Sequence, residues 1–581
     1  MNILGLYDGH NTSAALISDG KILKAVEEER FSRVKNHDGR VDGLCAPYDS
    51  VKYCISNIGA NNIDAIALAL EKPEILQKNA INSYIDSVRQ GFSERIKCNE
   101  IKGLSVDGYD IFLYPLKTQS DRIDKIKLWL KEAGVQVDQI PFYYINHHLS
   151  HVASAYYTSP YNDALIITLD GKGDDLCGMV AIGRSGKTEV IEKVNYIHSI
   201  GHIYSAITVA CGFKALRHEG KITGLAAYAK PDPELMKAFR ELVQVRDGKW
   251  YSKLNMKNKL GPYPHTLFDE NITLIRELVN GLSRETMSAT VQKITEELVC
   301  EFIEYYVNKY KDKTVLLAGG VFANVKINQR VHEIDGIENI YIHPAMNDAG
   351  LSVGAALGAY YQDHNYNGCS FDNVFFGPSY GESEIEALLI KENIEYTKPD
   401  DISVEVAKHL AEGKVIARFD GGLEYGSRSL GNRSILYQTT DNKVNDWLNK
   451  KLDRTEFMPF APITLFEKRN SCYLNVEGTE HTAQFMTITY NCTELMKNQS
   501  PAVVHIDGTA RPQFVSESNN PGLYSILTTY YEMTGIPSLI NTSFNVHEEP
   551  IVCTPSDAIK SFRTIQLDYL QIGSFIVKGY I

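Results

Sequence analysis

One pattern occurs twice in this chain, and it constrains the fold more than any other feature. Residues 1–29 alternate as three short strands, ILGLY, SAALIS and KILKAVEEE, broken by Asp8-Gly9-His10-Asn11 and by Asp19-Gly20. Residues 163–195 repeat the design as ALIITLD, GMVAIG and EVIEKV, broken by Gly171-Lys172-Gly173-Asp174-Asp175 and Arg184-Ser185-Gly186. Asp-Gly and Ser-Gly suit tight hairpin turns, because the second position tolerates positive φ. Each copy is therefore predicted to be a β-meander whose first strand ends in Asp-Gly. A unit copied once in a chain implies two similar sheets facing each other.

The fold class expected is α/β: a duplicated actin-like N-terminal domain, with nucleotide held between the halves at the first turns, followed by a second α/β domain. Helical spacing at Ser120–Ala133 and through 273–311 supplies the crossovers. TVLLAGGVFAN (314–324) reads as a buried strand feeding a glycine turn and a helix start, a place where phosphates bind. Past Asp363 the composition turns to Gly, Asn, Ser and Pro, which places a boundary near 375 and domains at 1–375 and 376–581. The second part alternates strand-like runs (KVIARFD, PSLINTSF, DYLQIGSFIV) with helical ones.

Composition narrows the function classes. The 581 residues are 44% hydrophobic and 23% charged, the balance of a globular protein of several domains. With 59 basic against 72 acidic residues the net charge is −13, which argues against nucleic acid or an anionic membrane as the main partner. The N-terminus has neither a basic nor an apolar leader segment, and no apolar run approaches the ~18–20 residues of a membrane span, so a cytoplasmic enzyme is expected. Ten cysteines lie scattered without a CxxC pair and are expected to be reduced and mostly buried.

The sharpest chemical signal is Asn146-His147-His148-Leu149-Ser150-His151. On a helix, His147 and His151 share one face a turn apart. Asp170 ends the next strand, and Asp348 precedes the small-residue helix LSVGAALGA, so both carboxylates are placed to face the same cleft. Two imidazoles and two carboxylates suit Fe, Mn, Mg or Zn. Helical histidines also cluster without any metal, and the spacing alone leaves that open.

Eight ordered segments carry a resemblance that spans nearly the whole chain. They are GHNTSAAL with AVEEERFSRVK, NHHLSHVASAYYTSPY with LDGKGD, GGVFANVKIN, HPAMNDAGLSVGAA, EYGSRSLGNRSIL, KKLDRTEFMPFAP, HIDGTARPQ and GIPSLINTSFNVHEEPIVCTP. The chain resembles the NodU/CmcH-type O-carbamoyltransferases. That resemblance implies an actin-like N-terminal domain and a YrdC-like C-terminal domain. It implies that the latter condenses carbamoyl phosphate with ATP to carbamoyladenylate, and that the former passes the carbamoyl group to an acceptor hydroxyl of a small molecule or sugar.

The resemblance assigns His147, His151, Asp170 and Asp348 as metal ligands, with Fe2+ the metal it favours and Mg2+ or Mn2+ as alternatives. Lys35 corresponds to an ATP-contacting lysine, and the glycine turn Gly319-Gly320 with Asn324 to nucleotide contacts. Asp8 and His10 lie on the first turn, where the acceptor is expected, and either is placed to act as general base; the same residues also suit a tight turn. In the second domain Arg428, Arg433, Lys451, Arg454 and Arg511 are expected to converge on one anion pocket, since guanidinium forks bind phosphate bidentately. Asn541 and Ser543 are expected to hold phosphate or the carbamoyl amide.

Two departures stand out: Ser427 and Ser429 replace the usual proline and alanine of a GPRALGNRS motif, and Thr223 stands where methionine is usual. An actin-like kinase is the alternative reading; it needs no second arginine-rich pocket and would release ADP. A non-catalytic RNA-binding role needs a basic surface that this charge balance does not advertise. The acceptor's identity, and the choice between monomer and homodimer, lie outside what the sequence fixes.

Overall fold

The computed structural model describes residues 1–40, 47–76, 105–106, 109–110, 114–253, 272, 274–366, 368, 370–452 and 460–579. Both predicted meanders form. In the first, β1 (Asn2–Tyr7), β2 (Ser13–Ser18) and β3 (Lys21–Glu27) are antiparallel, and β4 (Ala65–Leu68) and β5 (Phe142–Tyr144) add in parallel beyond β1, giving the order β3-β2-β1-β4-β5. The second sheet repeats this. Its strands β6 (Ala164–Gly173), β7 (Leu176–Arg184), β8 (Lys187–Asn195), β9 (Thr314–Ala318) and β10 (Asn339–Ile342) run β8-β7-β6-β9-β10, again with three antiparallel and two parallel strands. The hairpin turns have the expected chemistry: Asp19 and Gly20 lie at φ 47° and 77°, Ser185 and Gly186 at 49° and 82°.

Two helices lie between the sheets, His147–Tyr157 and Leu351–Asp363, packed on each other. The first, α1 (His147–Tyr157), is capped by the Asn146 side chain, which accepts from the backbone N–H groups of His148 and Leu149. The 27-residue α2 (Arg284–Tyr310), which packs with Leu165 and Ile167 of the second sheet in a separate cluster, starts on a Ser283 cap inside the predicted helical window. α3 (Val325–His332) follows the glycine turn, and α4 (Leu351–Asp363) is the small-residue helix. A Cβ at Gly354 of α4 would lie 1.8 Å from the Ser150 carbonyl of α1, and one at Gly5 of β1 would lie 2.0 Å from the Ser352 carbonyl. Only missing side chains allow α1, α4 and β1 to approach so closely, and that closeness brings the ends of both meanders together.

A third sheet follows. Its strands β11 (Ile416–Phe419), β12 (Arg433–Gln438), β13 (Ala461–Leu465), β14 (Gln513–Val515), β15 (Ser538–Ser543), β16 (Tyr569–Ile572) and β17 (Phe575–Lys578) form a mixed sheet ordered β14-β13-β15-β12-β11-β16-β17. Apolar packing runs from the second sheet into this one without a break, Phe322 and Ile342 sharing a cluster with Phe460 and Phe514. The seam is also pinned by hydrogen bonds. Glu27 accepts from the Gly426 N–H at 2.8 Å, Arg30 donates to the Gly426 carbonyl at 2.9 Å, and Arg33 donates to the carbonyls of Pro550 and Ile551, each at 2.7 Å. Among the described residues no helix is long and apolar enough to cross a membrane, and the seven described cysteines are unpaired, six of them buried.

Candidate functional site

Four donors meet where α1, the end of β6 and the turn before α4 converge. His147 and His151, in the first turn and a half of α1, aim their Nε2 atoms at Asp170 and Asp348. His151 Nε2 lies 3.2 Å from Asp170 Oδ2 and 3.7 Å from Asp348 Oδ1; His147 Nε2 lies 3.6 Å from each of the same two oxygens. The ligand atoms all fall within 4.8 Å of one another. His147 Nε2 is buried without a hydrogen-bond partner. Separations of this kind are mostly too long for hydrogen bonds, and they match donors about 2.0–2.2 Å from a shared ion. An orphaned buried imidazole nitrogen facing two carboxylates fits a divalent metal. Without one, burial works against a charged ring, but the hydrogen bond to Asp170 and the charges of Asp170 and Asp348 hold His151 up at about 9. Burial likewise opposes ionisation of Asp170, yet the two histidines keep it well below the usual carboxylate range.

Neighbours that the sequence did not single out fix these donors. The Asp174 carboxylate accepts the backbone N–H of His147 at 2.8 Å. Gly173 makes room for the His147 ring, which a Cβ there would meet at 2.2 Å. Tyr7, at the end of β1, donates its hydroxyl to Asp348 Oδ2 at 2.6 Å.

The first turn divides the two residues expected to act there. Asp8 is 2% exposed and both its oxygens accept from Arg122. A carboxylate so engaged anchors the turn. His10 is half-buried, its backbone bridged to Asp38. The glycine turn, by contrast, lies on the metal corner. Gly319 takes φ 102°, where a Cβ would sit 2.1 Å from the Leu169 carbonyl, and one at Gly320 would lie 3.0 Å from Asp170 Oδ1. Asn324 caps α3 and donates to Gln292 Oε1 at 2.7 Å. Lys35 lies at the seam with the third sheet; burial opposes ionisation of Glu548, but His218 and the Lys35 charge hold it below its usual range.

Beside the glycine turn opens a cavity of about 230 Å³ lined by Thr223, Gln292, Lys326, Phe460, His505 and Arg511 among others. That wall comes from both sides of the seam, Thr223, Gln292 and Lys326 from one and Phe460, His505 and Arg511 from the other. Thr223, the departure from the methionine expected in this motif, is hydrogen-bonded to the Tyr204 hydroxyl at 2.9 Å and lies on the wall.

The predicted cluster of cations separates into kinds. Arg428 extends from the third-sheet domain to within 3.5 Å of the Ala323 carbonyl on the glycine turn, and its Nε is buried without a partner. Burial pushes Arg428 down to about 10; burial, with the Arg428 charge nearby, pushes Arg511 well below its ordinary value. Among the described residues neither arginine has a carboxylate partner. Arg433 differs. It donates to the carbonyls of Asp420, Asn432, Pro378 and Gly421, and stacks 3.7 Å from the Phe419 ring centroid. It is fully buried scaffold and does not join the pair, contrary to expectation.

Asn541 is also scaffold, donating to the Ser429 carbonyl at 2.9 Å and to Gln513 Oε1 at 3.1 Å. Ser543 donates to Asn545 at 2.5 Å. Lys451 is exposed at the end of the helix Val444–Lys451, and Arg454 lies outside the described residues.

Comparison with known proteins agrees across the chain. Residues 2–357 match the family model for the carbamoyltransferase N-terminus, and residues 407–579 the one for the carbamoyltransferase C-terminus. An uncharacterized protein of Methanocaldococcus jannaschii is 31% identical over 99% of each chain. The nodulation protein NolNO of Sinorhizobium fredii is 30% identical over 98% of this chain and 79% of its own. Among solved structures, HypF of T. kodakarensis aligns with 62% of this chain and 48% of its own at 12% identity, with a TM-score of 0.32. With both family models matched in order and two relatives aligned over at least 98% of it, this chain belongs to the carbamoyltransferase family.

Proposed function

We propose that the protein is an ATP- and metal-dependent O-carbamoyltransferase that modifies a hydroxyl of a small-molecule natural product or sugar. In this reading the C-terminal, YrdC-like domain activates the donor. Carbamoyl phosphate loses phosphate to water, a carbamate oxygen attacks the α-phosphorus of ATP, and the bond to pyrophosphate breaks, leaving carbamoyladenylate. The mixed anhydride matters because carbamate alone has no good leaving group. In the actin-like domain the acceptor oxygen then attacks the carbamoyl carbon, the C–O bond to AMP breaks, and the hydroxyl proton passes to a base. His10 is the residue on the first turn placed for that role, since Asp8 is engaged by Arg122.

His147, His151, Asp170 and Asp348 would hold a divalent ion, which when bound supplies positive charge for phosphate or carbonyl oxygens. The observation that carries the reading is the Arg428–Arg511 pair. Two half-buried guanidiniums with no carboxylate partner among the described residues, next to a cavity shared by both domains and the glycine turn, ask for a polyanion. An actin-like kinase has no use for such a pair.

The test omits the acceptor. Purified protein is incubated with ATP, carbamoyl phosphate and a divalent metal, and pyrophosphate and AMP are followed against ADP. Pyrophosphate that requires carbamoyl phosphate and collapses in Arg511→Ala is the expected result. ADP as the only nucleotide product, with or without carbamoyl phosphate, would turn the reading to the kinase.

A further inference from the structure

We infer that Tyr7 is a positioning residue of the metal centre, holding one oxygen of Asp348 so that the other alone is presented to His147 and His151. The inference rests on the reading of those residues with Asp170 as metal ligands.

The placement follows from the alternation of β1. Ile3, Gly5 and Tyr7 lie on the same face of the strand, and Ile3 and Tyr7 share an apolar cluster with Leu351, Val353 and Ala355 of α4. Gly5 has no side chain where α4 crosses, its Cβ position being 2.0 Å from the Ser352 carbonyl. The helix is thus drawn down onto β1, and the turn that precedes it brings Asp348 to the strand's end. There the Tyr7 hydroxyl, on a side chain only 6% exposed, donates to Oδ2 at 2.6 Å. The other oxygen, Oδ1, is the one 3.6 and 3.7 Å from the two histidines.

The Tyr7 ring meets a second ligand as well, edge-on to His147 with centroids 5.9 Å apart. The turn carrying Asp348 is held from other sides too. Ser13 donates to the Ala349 carbonyl at 3.0 Å and Tyr425 to the same carbonyl at 3.1 Å. Those bonds fix the backbone, whereas Tyr7 alone in this set fixes the carboxylate itself. Gly9 is part of the device, because a Cβ there would lie 2.4 Å from the Tyr7 hydroxyl. Since Tyr7 directly precedes Asp8 and the turn bearing His10, one residue ties the acceptor turn to the metal ligand.

Partners that orient a metal ligand change affinity by about 10–100-fold when removed. The experiment titrates the metal-free full-length protein with Co2+, reading affinity by chelator competition and coordination by the visible d–d absorption. Tyr7→Phe is expected to weaken Co2+ binding about 10–100-fold and to change the d–d spectrum, because the released oxygen of Asp348 is free to turn toward the ion. Thermal unfolding of the metal-free variant should match the parent. Gly9→Ala, which crowds the hydroxyl, should reproduce the spectral change.

Parental affinity and spectrum in Tyr7→Phe would overturn the inference. So would a bound-state spectrum unchanged from the parent in a variant that unfolds earlier, the mark of a merely structural residue. Failure of a different kind sinks the underlying reading: a parent protein that does not bind Co2+, or His151→Ala binding as tightly as the parent.

Discussion

The metal corner and the arginine pair are both clusters of charged groups partly withdrawn from water, yet they are built in opposite ways. At the corner, cation and anion donors face one another, and Tyr7, Asp174 and the backbone hold them in place. At the pair, two guanidiniums of the same sign approach each other, and Arg428 Nε has no partner at all. A nearly balanced site persists by itself and gains an ion. A site of uncompensated like charge is costly until an anion arrives. On the proposed reading the first arrangement suits a resident cofactor, and the second a substrate that comes and goes.

The sharpest way to break this contrast is to remove one member of each site and read both activities. Asp170→Ala is expected to lower metal affinity by more than about a hundredfold while leaving anion binding, read as stabilisation by added pyrophosphate, intact. Arg511→Met is expected to lower pyrophosphate formation about 10²–10³-fold with metal affinity unchanged. Metal titration and a pyrophosphate release assay on the two variants give the four values. If Arg511→Met loses metal as well, the two sites are one unit and the comparison fails.

Stability separates the arginines next. Arg433→Met strands four carbonyls that now accept from one side chain, and is expected to cost about 3–5 kcal/mol, seen as a lower denaturant midpoint. Arg511→Met should do the reverse. Removing one of two half-buried like charges is expected to raise stability by up to about 1 kcal/mol in anion-free buffer, and added pyrophosphate should stabilise the parent but not the variant. Equal destabilisation in both variants would mean that Arg511 too is scaffold.

These opposite fates explain what was legible in the sequence. The duplicated meander was, because alternation and Asp-Gly turns are local signals, and both sheets formed with the same strand order. The four metal-corner donors were, since helical spacing sets His147 and His151 on one face and strand ends put Asp170 and Asp348 at a cleft. Arg433 and Arg428 were not told apart, although only five residues separate them. The difference is that β12 begins at Arg433 and turns its guanidinium into a ring of carbonyls supplied by residues 378 and 420–432, a contact set that spacing does not encode. Tyr7 and Arg122 were missed for the same reason. Their partners lie 341 and 114 residues away, and an apolar-strand tyrosine or a helical arginine carries no local mark of that.

Glu28 offers the mildest test of the idea that an unpaired buried charge needs a partner from outside. Like the arginines it has no counter-charge among the described residues, and it is more deeply buried than they are, but its carboxyl accepts from the Asp49 and Ser50 N–H groups and the Ser50 hydroxyl. Burial pushes it up to about 7, and those hydrogen bonds only partly offset that. A carboxyl has the option of taking a proton, which a guanidinium lacks at the other end of the scale. Between its ordinary value of 4.5 and about 7 the folded protein holds a proton at Glu28 that the unfolded chain has given up. Over that window stability must therefore fall as pH rises, and level off above it. Denaturant unfolding at pH 5, 6, 7 and 8 should display the slope, by about 1 kcal/mol or more per pH unit at its steepest. Glu28→Gln, neutral throughout, should flatten it. An unchanged slope would mean that Glu28 stays ionised on its three neutral donors, and that a buried single charge in this protein does not require relief.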